Sequence, residues 1–275
     1  MTLIELIKAA IKEDMPSGDL TTESPALKPR LGRAKLIAKQ DLILSGNGAF
    51  EETILALEPN AKLKWQFEEG SEVLNKQIIC TIQGDLIQIL KAERIALNFL
   101  MHLSGVATLT QKFVKKMAGT NCRILDTRKT TPTFRELEKR AVIHGGGLNH
   151  RLNLSSAILI KDNHIAVMEG ITAAVERTRA HTTSAIEVEA RTLEEVKECV
   201  ALKVNRILLD NMDNHMLAEA IQLIPKGIEI EASGNMTLER VDTVAKLGAH
   251  FISVGALTHS APSADLSLMF DWKNS

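Results

Sequence analysis

Cysteine is scarce in this 275-residue chain: Cys80, Cys122 and Cys199 stand far apart, and no C-x-x-C pair occurs. That spacing excludes a disulfide framework and a structural zinc site, and it suits a reducing compartment. Net charge is also small, −1 at neutral pH, so no global field favours nucleic acid or an anionic membrane surface. No uninterrupted apolar run reaches the roughly 18 residues of a membrane span. The opening MTLIELIKAAIKEDMPSGDL carries Glu5, Glu13 and Asp14 within an amphipathic pattern and reads as a helix rather than a signal peptide. Nucleotide fingerprints are missing too: SGNG at Ser45–Gly48 is half of a dinucleotide motif, and no Walker-type phosphate loop follows a strand. These absences leave a cytoplasmic protein with no nucleic-acid or membrane partner as the expectation.

What is present is core and localised charge. The chain is 45% hydrophobic and 24% charged, ample for one barrel or for a barrel sharing the chain with a smaller unit. Between Arg123 and Lys161 eight Lys/Arg face three Asp/Glu, a local +5 that the rest of the chain offsets with −6. If that segment folds around a cleft, the cleft suits an anion.

The first hundred residues mix element types. Leu3, Ile4, Leu6, Ile7, Ala10 and Ile11 fall at helical spacing, RAKLIAKQ, AKLKWQFEE and QIICTIQG read as strands, and LIQILKAERIALNFLMHLSG reads as a long helix that Gly105 could end. Beyond about residue 120 strict alternation begins. RILDT, AILIKDN, AIEVEA, RILLDN, IEIEASG and FISVGAL are short apolar runs separated by helical patterns, which argues for parallel β-structure in a barrel or doubly wound sheet. Six strands are clear, fewer than the eight of a complete barrel.

Nearly every one of these runs ends in polar residues: Asp126, Arg128 and Lys129; Lys161, Asp162 and Asn163; Glu187 and Glu189; Asp210 and Asn211; Glu231, Ser233 and Asn235; lastly Gly255. Asp and Asn in such slots often only cap the next helix, but Arg, Lys and Glu are poor caps. In a barrel these strand ends converge on one mouth. Arg128, Lys129, Arg151 and Lys161, with Arg94, supply cations for carboxylates and phosphates. Glu189 and Asp210 are hard oxygen ligands suited to Mg²⁺. ASGN and VGA end two late strands with small residues, so backbone N–H groups there could approach a phosphate. The GGG of Gly145–Gly147 just before Asn149, His150 and Arg151 suggests a loop that a ligand approaches. A polyanionic substrate with a metal ion is the chemistry this set fits; a lysine Schiff base at Lys161 and a non-catalytic sugar-phosphate sensor are alternatives.

The motifs DTRKTTP, EKRAVIHGGGLNHR, LIKDNHI, IEVE, LLDN, EASGN and SVGALTHS, taken in order, resemble the quinolinate phosphoribosyltransferase (decarboxylating) family, also called nicotinate-nucleotide pyrophosphorylases (carboxylating). KEDMPSGDLTTE and KAERIALNFLMHLSG resemble it as well, so the likeness spans nearly the whole chain. The related molybdenum-transport accessory family generally lacks the DTRKTTP and KDNH patterns, both intact here.

The resemblance implies an α/β fold: an N-terminal α/β sandwich over residues 1–106, joined by the tail 262–275, and an incomplete, seven-stranded α/β barrel over 107–261. It implies transfer of the phosphoribosyl group of phosphoribosyl pyrophosphate to quinolinate with decarboxylation, in NAD biosynthesis, with Mg²⁺ as cofactor. It also implies a homodimer or larger homo-oligomer, in which Arg94 reaches the partner's site. Carried over by position, Arg94, Arg128, Arg151 and Lys161 would hold the quinolinate carboxylates, with His150 lining the pocket and Thr127 in the substrate set. Lys129 would face the phosphoribosyl pyrophosphate. Glu189 and Asp210 would engage ribose hydroxyls and Mg²⁺, making Lys129, Glu189 and Asp210 the catalytic set. Ser233, Gly234 and Asn235, with Gly255, Ala256 and Leu257, would cradle the 5-phosphate near His259. Two departures stand out: Thr133 where many relatives carry Gly, and Arg140 where an aromatic is common, in a chain with no tyrosine.

Overall fold

The structure, a computed structural model, describes residues 1–25 and 27–272. Two compact units divide the chain: the first takes Met1–Gln111, Thr131–Gly146 and the residues from Ser260 onward, the second Lys112–Thr130 and Gly147–His259. The segment Thr131–Gly146 thus sides with the first unit, whereas the boundaries expected from the sequence, 106/107 and 261/262, left it in the barrel.

The first unit begins with α1 (Leu3–Asp14) and α2 (Leu20–Glu23), followed by β1 (Leu31–Ala38), β2 (Leu42–Ile43) and α3 (Asn47–Leu57). Then come β3 (Lys62–Trp65), β4 (Glu72–Val73), β5 (Ile78–Asp85) and α4 (Leu86–Lys116), whose last turn is counted with the second unit. Thr2 and Glu5 start α1 with a reciprocal capping box, satisfying two orphan N–H groups. In β1 the buried residues Ala34, Leu36 and Ala38 alternate with outward ones, the period-two signature of a one-sided sheet. They pack with Ile79 and Ile82 of β5, Phe50 and Ile54 of α3, and Leu86 and Ile89 of α4. The last strand of the chain, Leu266–Asp271, pairs antiparallel with β1, giving a four-stranded sheet. Of the expected tail, Lys273–Ser275 lie outside the described residues.

Gly105 does not end α4, which runs on to Lys116. A Cβ at Gly105 would collide with the carbonyl of Pro262 and lie 3.1 Å from Ser263 Cα. The glycine is there for close backbone approach and not as a helix stop.

The second unit holds β6 (Arg123–Leu125), then, beyond α5 (Arg135–His144) of the first unit, β7 (Ile158–Ile160), α6 (Asp162–Val167) and α7 (Ile171–His181). β8 (Ile186–Ala190), α8 (Leu193–Ala201), β9 (Arg206–Asp210), α9 (Asn214–Leu223) and β10 (Glu229–Ser233) follow. α10 (Val241–Lys246), β11 (Phe251–Ser253) and α11 (Ala256–His259) complete it, and the tail strand of the first unit is β12. Six parallel strands form one sheet in the order β6-β11-β10-β9-β8-β7. They are the six apolar runs read from the sequence. Seven strands were expected from the resemblance; among the described residues the seventh shrinks to one parallel bridge, Leu148 with Leu125. Leu148 N–H donates to Ile124 O at 2.8 Å and Asp126 N–H to Leu148 O at 3.2 Å, continuing the sheet past β6 for a single residue. All five residues of β8 are buried, as strands covered on both faces must be.

Candidate active site

The carboxyl ends of the parallel strands enclose a cavity of about 560 Å³. Beyond β6, fully buried Asp126 accepts the backbone N–H of His150 at 2.8 Å, tying the start of the Arg151 loop to the strand. Thr127, Arg128 and Lys129 then line the cavity, with Lys129 N–H donating to Thr127 Oγ1 at 3.0 Å. Arg151 lines it too, and its Nη1 donates to Ala157 O at 3.1 Å, closing its loop. Burial, and then the adjacent Arg128, lower the Arg151 guanidinium from its ordinary value, while Glu187 pulls the other way. A guanidinium whose charge is disfavoured by burial and by a neighbouring guanidinium gains from an anion placed beside it.

The acids of the same cavity pair with other cations. Lys161, after β7, places Nζ 3.3 Å from Glu189 Oε2. Arg191 Nη2 lies 3.0 Å from Glu189 Oε1 and 2.8 Å from Asp162 Oδ2, and its Nε lies 3.6 Å from Asp210 Oδ2. Asp210 Oδ2 also accepts Asn211 Nδ2–H at 2.7 Å. At the end of β10, Gly234 has φ +94° and a Cβ there would run into the Asn211 side chain, so the turn Ser233–Asn235 requires glycine. Arg240 Nη1 donates to Gly234 O at 3.0 Å and fixes the turn from outside.

Deeper in the barrel, Glu187 Oε2 and Glu231 Oε2 lie 3.2 and 3.6 Å from His150 Nε2. Burial pushes the Glu231 carboxyl up to about 7, aided by the charge of Glu187. Burial raises Glu187 as well, against the pull of Arg206.

The cavity therefore gathers Thr127, Arg128, Lys129, His150, Arg151, Lys161, Glu189, Asp210, Ser233, Gly234 and Asn235 from the sequence-derived set. Gly255, Ala256, Leu257 and His259 do not line it, although a Cβ on Gly255 would sit 3.0 Å from Lys129 Cδ and 3.1 Å from His259 Nε2. Leu257 is buried, so only its backbone is on offer. Arg94 lies in the first unit and lines a different cavity with His102 and Phe134.

Sequence reasoning overlooked Arg191, Ser253, Leu159 and Leu208 in the lining. Arg191 had a signal: it sits two residues beyond Glu189, where side chains that alternate along a strand point the same way. One glycine reading changes. Gly145 packs where a Cβ would strike Ala107 O and Thr110 of α4, a helix contact of the first unit and not a ligand approach. SGNG opens α3, where the Glu69 carboxylate accepts the Gly46 and Asn47 N–H groups at 2.6 and 3.0 Å.

Comparison with known proteins identifies the family. The quinolinate phosphoribosyl transferase N-terminal domain description matches residues 19–104 and the C-terminal domain description residues 106–269. A Synechocystis protein named "Probable nicotinate-nucleotide pyrophosphorylase (carboxylating)" is 40% identical over 263 residues, covering 94% of this chain and 89% of its own. The chloroplastic nicotinate-nucleotide pyrophosphorylase (carboxylating) of Arabidopsis thaliana is 39% identical, covering 97% and 82%. Among solved structures, the nicotinate-nucleotide pyrophosphorylase of Ehrlichia chaffeensis superposes with a TM-score of 0.95 at 33% identity, covering 98% of this chain and 99% of that one.

Proposed function

Because the chain belongs to the quinolinate phosphoribosyltransferase family, we propose that the cavity at the ends of β6 to β10 is its active site. The enzyme transfers the phosphoribosyl group of phosphoribosyl pyrophosphate to quinolinate with decarboxylation, giving nicotinate mononucleotide, pyrophosphate and CO₂ in NAD biosynthesis. One observation carries the placement of quinolinate: Arg128 and Arg151 line the same cavity close enough for the one charge to act on the other. A dicarboxylate ring offsets that effect, and guanidinium forks fit its carboxylates.

Lys161 takes the second carboxylate; its side chain is nearly half exposed and its Nζ lies 3.3 Å from Glu189 Oε2, which is not the desolvated pocket a Schiff-base lysine needs. Lys129 faces the sugar diphosphate, and Ser233–Asn235 with the backbone of Gly255–Leu257 and His259 receive the 5-phosphate. Held this way, the pyridine nitrogen attacks the anomeric carbon as pyrophosphate departs. Glu189 and Asp210 steady the positive charge that grows on the ribose, so the rate gain comes from positioning and electrostatics. The ring nitrogen becomes quaternary, and its positive charge stabilises the electron pair left on the adjacent carbon when its carboxylate leaves as CO₂; a proton then takes the place of the carboxylate on that carbon.

Glu189 and Asp210 also suit Mg²⁺, which takes one or two carboxylates and fills its remaining positions from phosphate and water. The fit has support in the geometry: one cationic group, Arg191, already spans both carboxylates. When bound, the ion offsets the charge of the departing pyrophosphate.

A homodimer in which Arg94, carried by the first unit, serves the partner's site belongs to the same proposal and follows the family reading. A cytoplasmic location is supported by three unbridged, buried cysteines. Burial pushes the Cys80 and Cys199 thiols up to about 12. Among the described residues no helix is long and apolar enough to cross a membrane.

Purified protein mixed with quinolinate, phosphoribosyl pyrophosphate and Mg²⁺ should release CO₂ and pyrophosphate in equal amounts. Nicotinate in parallel should turn over poorly. Equal turnover of nicotinate would refute the role given to Lys161 and Arg94 at the second carboxylate.

A further inference from the structure

Barrel interiors are usually filled by layers of Val, Ile and Leu. Here one layer is polar: Glu187 of β8, Glu231 of β10 and Ser253 of β11, with His150 entering from the loop after β6. Replacing buried ion pairs by apolar side chains of similar size is often neutral or stabilising, so stability alone does not explain this layer.

The hydrogen bonds run in one direction. Arg206 opens β9, at the end of the strand remote from the cavity. Its Nε and Nη2 donate to Glu229 Oε2 at 2.9 and 2.7 Å, and Nη1 donates to Glu231 Oε2 at 3.2 Å. The Phe251 ring covers the guanidinium with 4.3 Å between them. Ser253 Oγ–H donates to the other oxygen of Glu231. Glu231 is thereby fixed, and with Glu187 it faces His150 Nε2. The remaining ring nitrogen, Nδ1, accepts the backbone N–H of Arg151 at 2.7 Å.

That last bond decides the chemistry of the ring. A backbone N–H can only donate, so Nδ1 offers its lone pair and the ring hydrogen sits on Nε2, the nitrogen within ion-pair distance of both carboxylates. His150, Glu187 and Glu231 are close enough to resemble a metal site. The tautomer argues against one, because Nε2 has no lone pair to give.

We propose that Glu231 and Arg206 are positioning residues for the dicarboxylate substrate: they hold His150 as its Nε2–H tautomer, and His150 in turn fixes the backbone of Arg151. The inference rests on the quinolinate reading of the cavity and deepens it. Among the described residues, the contacts named above lead from Arg206 to the backbone of Arg151, and none of them is made by Ser233, Gly234 or Asn235. Disturbing them should affect one substrate and spare the other.

Two measurements on the full-length protein test this. In the ¹⁵N spectrum of histidine-labelled enzyme, His150 should carry its hydrogen on Nε2. In steady-state assays, Glu231→Gln should raise the KM for quinolinate by about tenfold, with the KM for phosphoribosyl pyrophosphate within about twofold and kcat nearly unchanged. Arg206→Met should act in the same direction by about threefold, and Arg206→Lys should recover most of the loss. If Glu231→Gln does not fold, the Arg206 pair alone carries the kinetic comparison. Both KM values rising together, or Arg206→Lys being no better than Arg206→Met, would show a merely structural role and overturn the proposal. The spectrum needs no turnover. A hydrogen on Nδ1 defeats the proposal whatever the substrate, whereas Nε2–H in a protein that does not use quinolinate defeats the functional reading alone.

Discussion

Arg191 bridges Glu189 and Asp210, with Nη2 3.0 Å from Glu189 Oε1 and Nε 3.6 Å from Asp210 Oδ2. A divalent ion claiming the same two carboxylates must compete with that guanidinium. The Arg191 side chain is about half exposed, so the contact it gives up is worth at most about 1 kcal/mol. Arg191→Met should therefore tighten Mg²⁺ binding by a factor of about five or less. Calorimetric titration of Mg²⁺ into the protein reads this without turnover, and weaker binding in the variant would place the ion elsewhere.

Arg128 acts against the charge of Arg151 in the cavity, and a dianion bound between them would offset that. Removing one fork from a charged hydrogen-bonded pair costs about 1.5–3 kcal/mol, or roughly 10- to 100-fold in affinity. Arg128→Ala should weaken quinolinate binding by that factor while changing affinity for phosphoribosyl pyrophosphate far less. Calorimetry giving the reverse ranking would reassign Arg128 to the sugar phosphate.

Burial holds the Glu231 carboxyl near 7 instead of its ordinary 4.5. The folded state therefore binds a proton that the unfolded chain gives up over that range. The stabilisation is complete below pH 4.5 and is lost as pH rises through about 7. Glu187, also raised by burial, adds to the same slope. Glu231→Gln, neutral at every pH, should show a flatter melting temperature between pH 4.5 and 7 than the unmutated protein. An equal or steeper fall in the variant would mean that Glu231 is ionised throughout.

Much of this was legible because it depends on periodicity. Strands buried on both faces read as short apolar runs, and the polar residue closing each run fell at the cavity with few exceptions. What was not legible depends on contacts distant in sequence. Leu148 pairs for a single residue, too short a stretch to leave a pattern. Thr131–Gly146 lies between barrel strands in sequence, yet Phe134 stacks on Phe99 at 5.4 Å and buried Glu138 takes a 2.7 Å bond from His102, both on α4. Nothing local to that segment announces those partners. Arg206 and Ser253 were missed for another reason. They sit below the strand ends, in a layer where polar side chains are not expected, and their role appears only when three strands are laid side by side.

Two backbone positions in the first unit should respond with opposite signs. At Gly105 a Cβ would meet the backbone of Pro262 and Ser263, which has no flexible end to swing aside. Gly105→Ala should gain a little from helix propensity and lose more to overpacking, for a net destabilisation of about 1–3 kcal/mol. Thr133 is the reverse case: a β-branched residue held at φ +70°, in the left-handed region. That conformation costs a non-glycine residue about 1–2 kcal/mol, more than glycine's added freedom in the unfolded chain takes back. The side chain is exposed, and among the described residues its Oγ1 bonds the adjacent Pro132 carbonyl at 2.5 Å, so little packing is lost on truncation. Thr133→Gly should therefore raise the denaturation midpoint, by at most about 1 kcal/mol in stability. Urea unfolding of both variants beside the parent decides the matter, and a stabilising Gly105→Ala or a destabilising Thr133→Gly would contradict the backbone geometry from which each sign is taken.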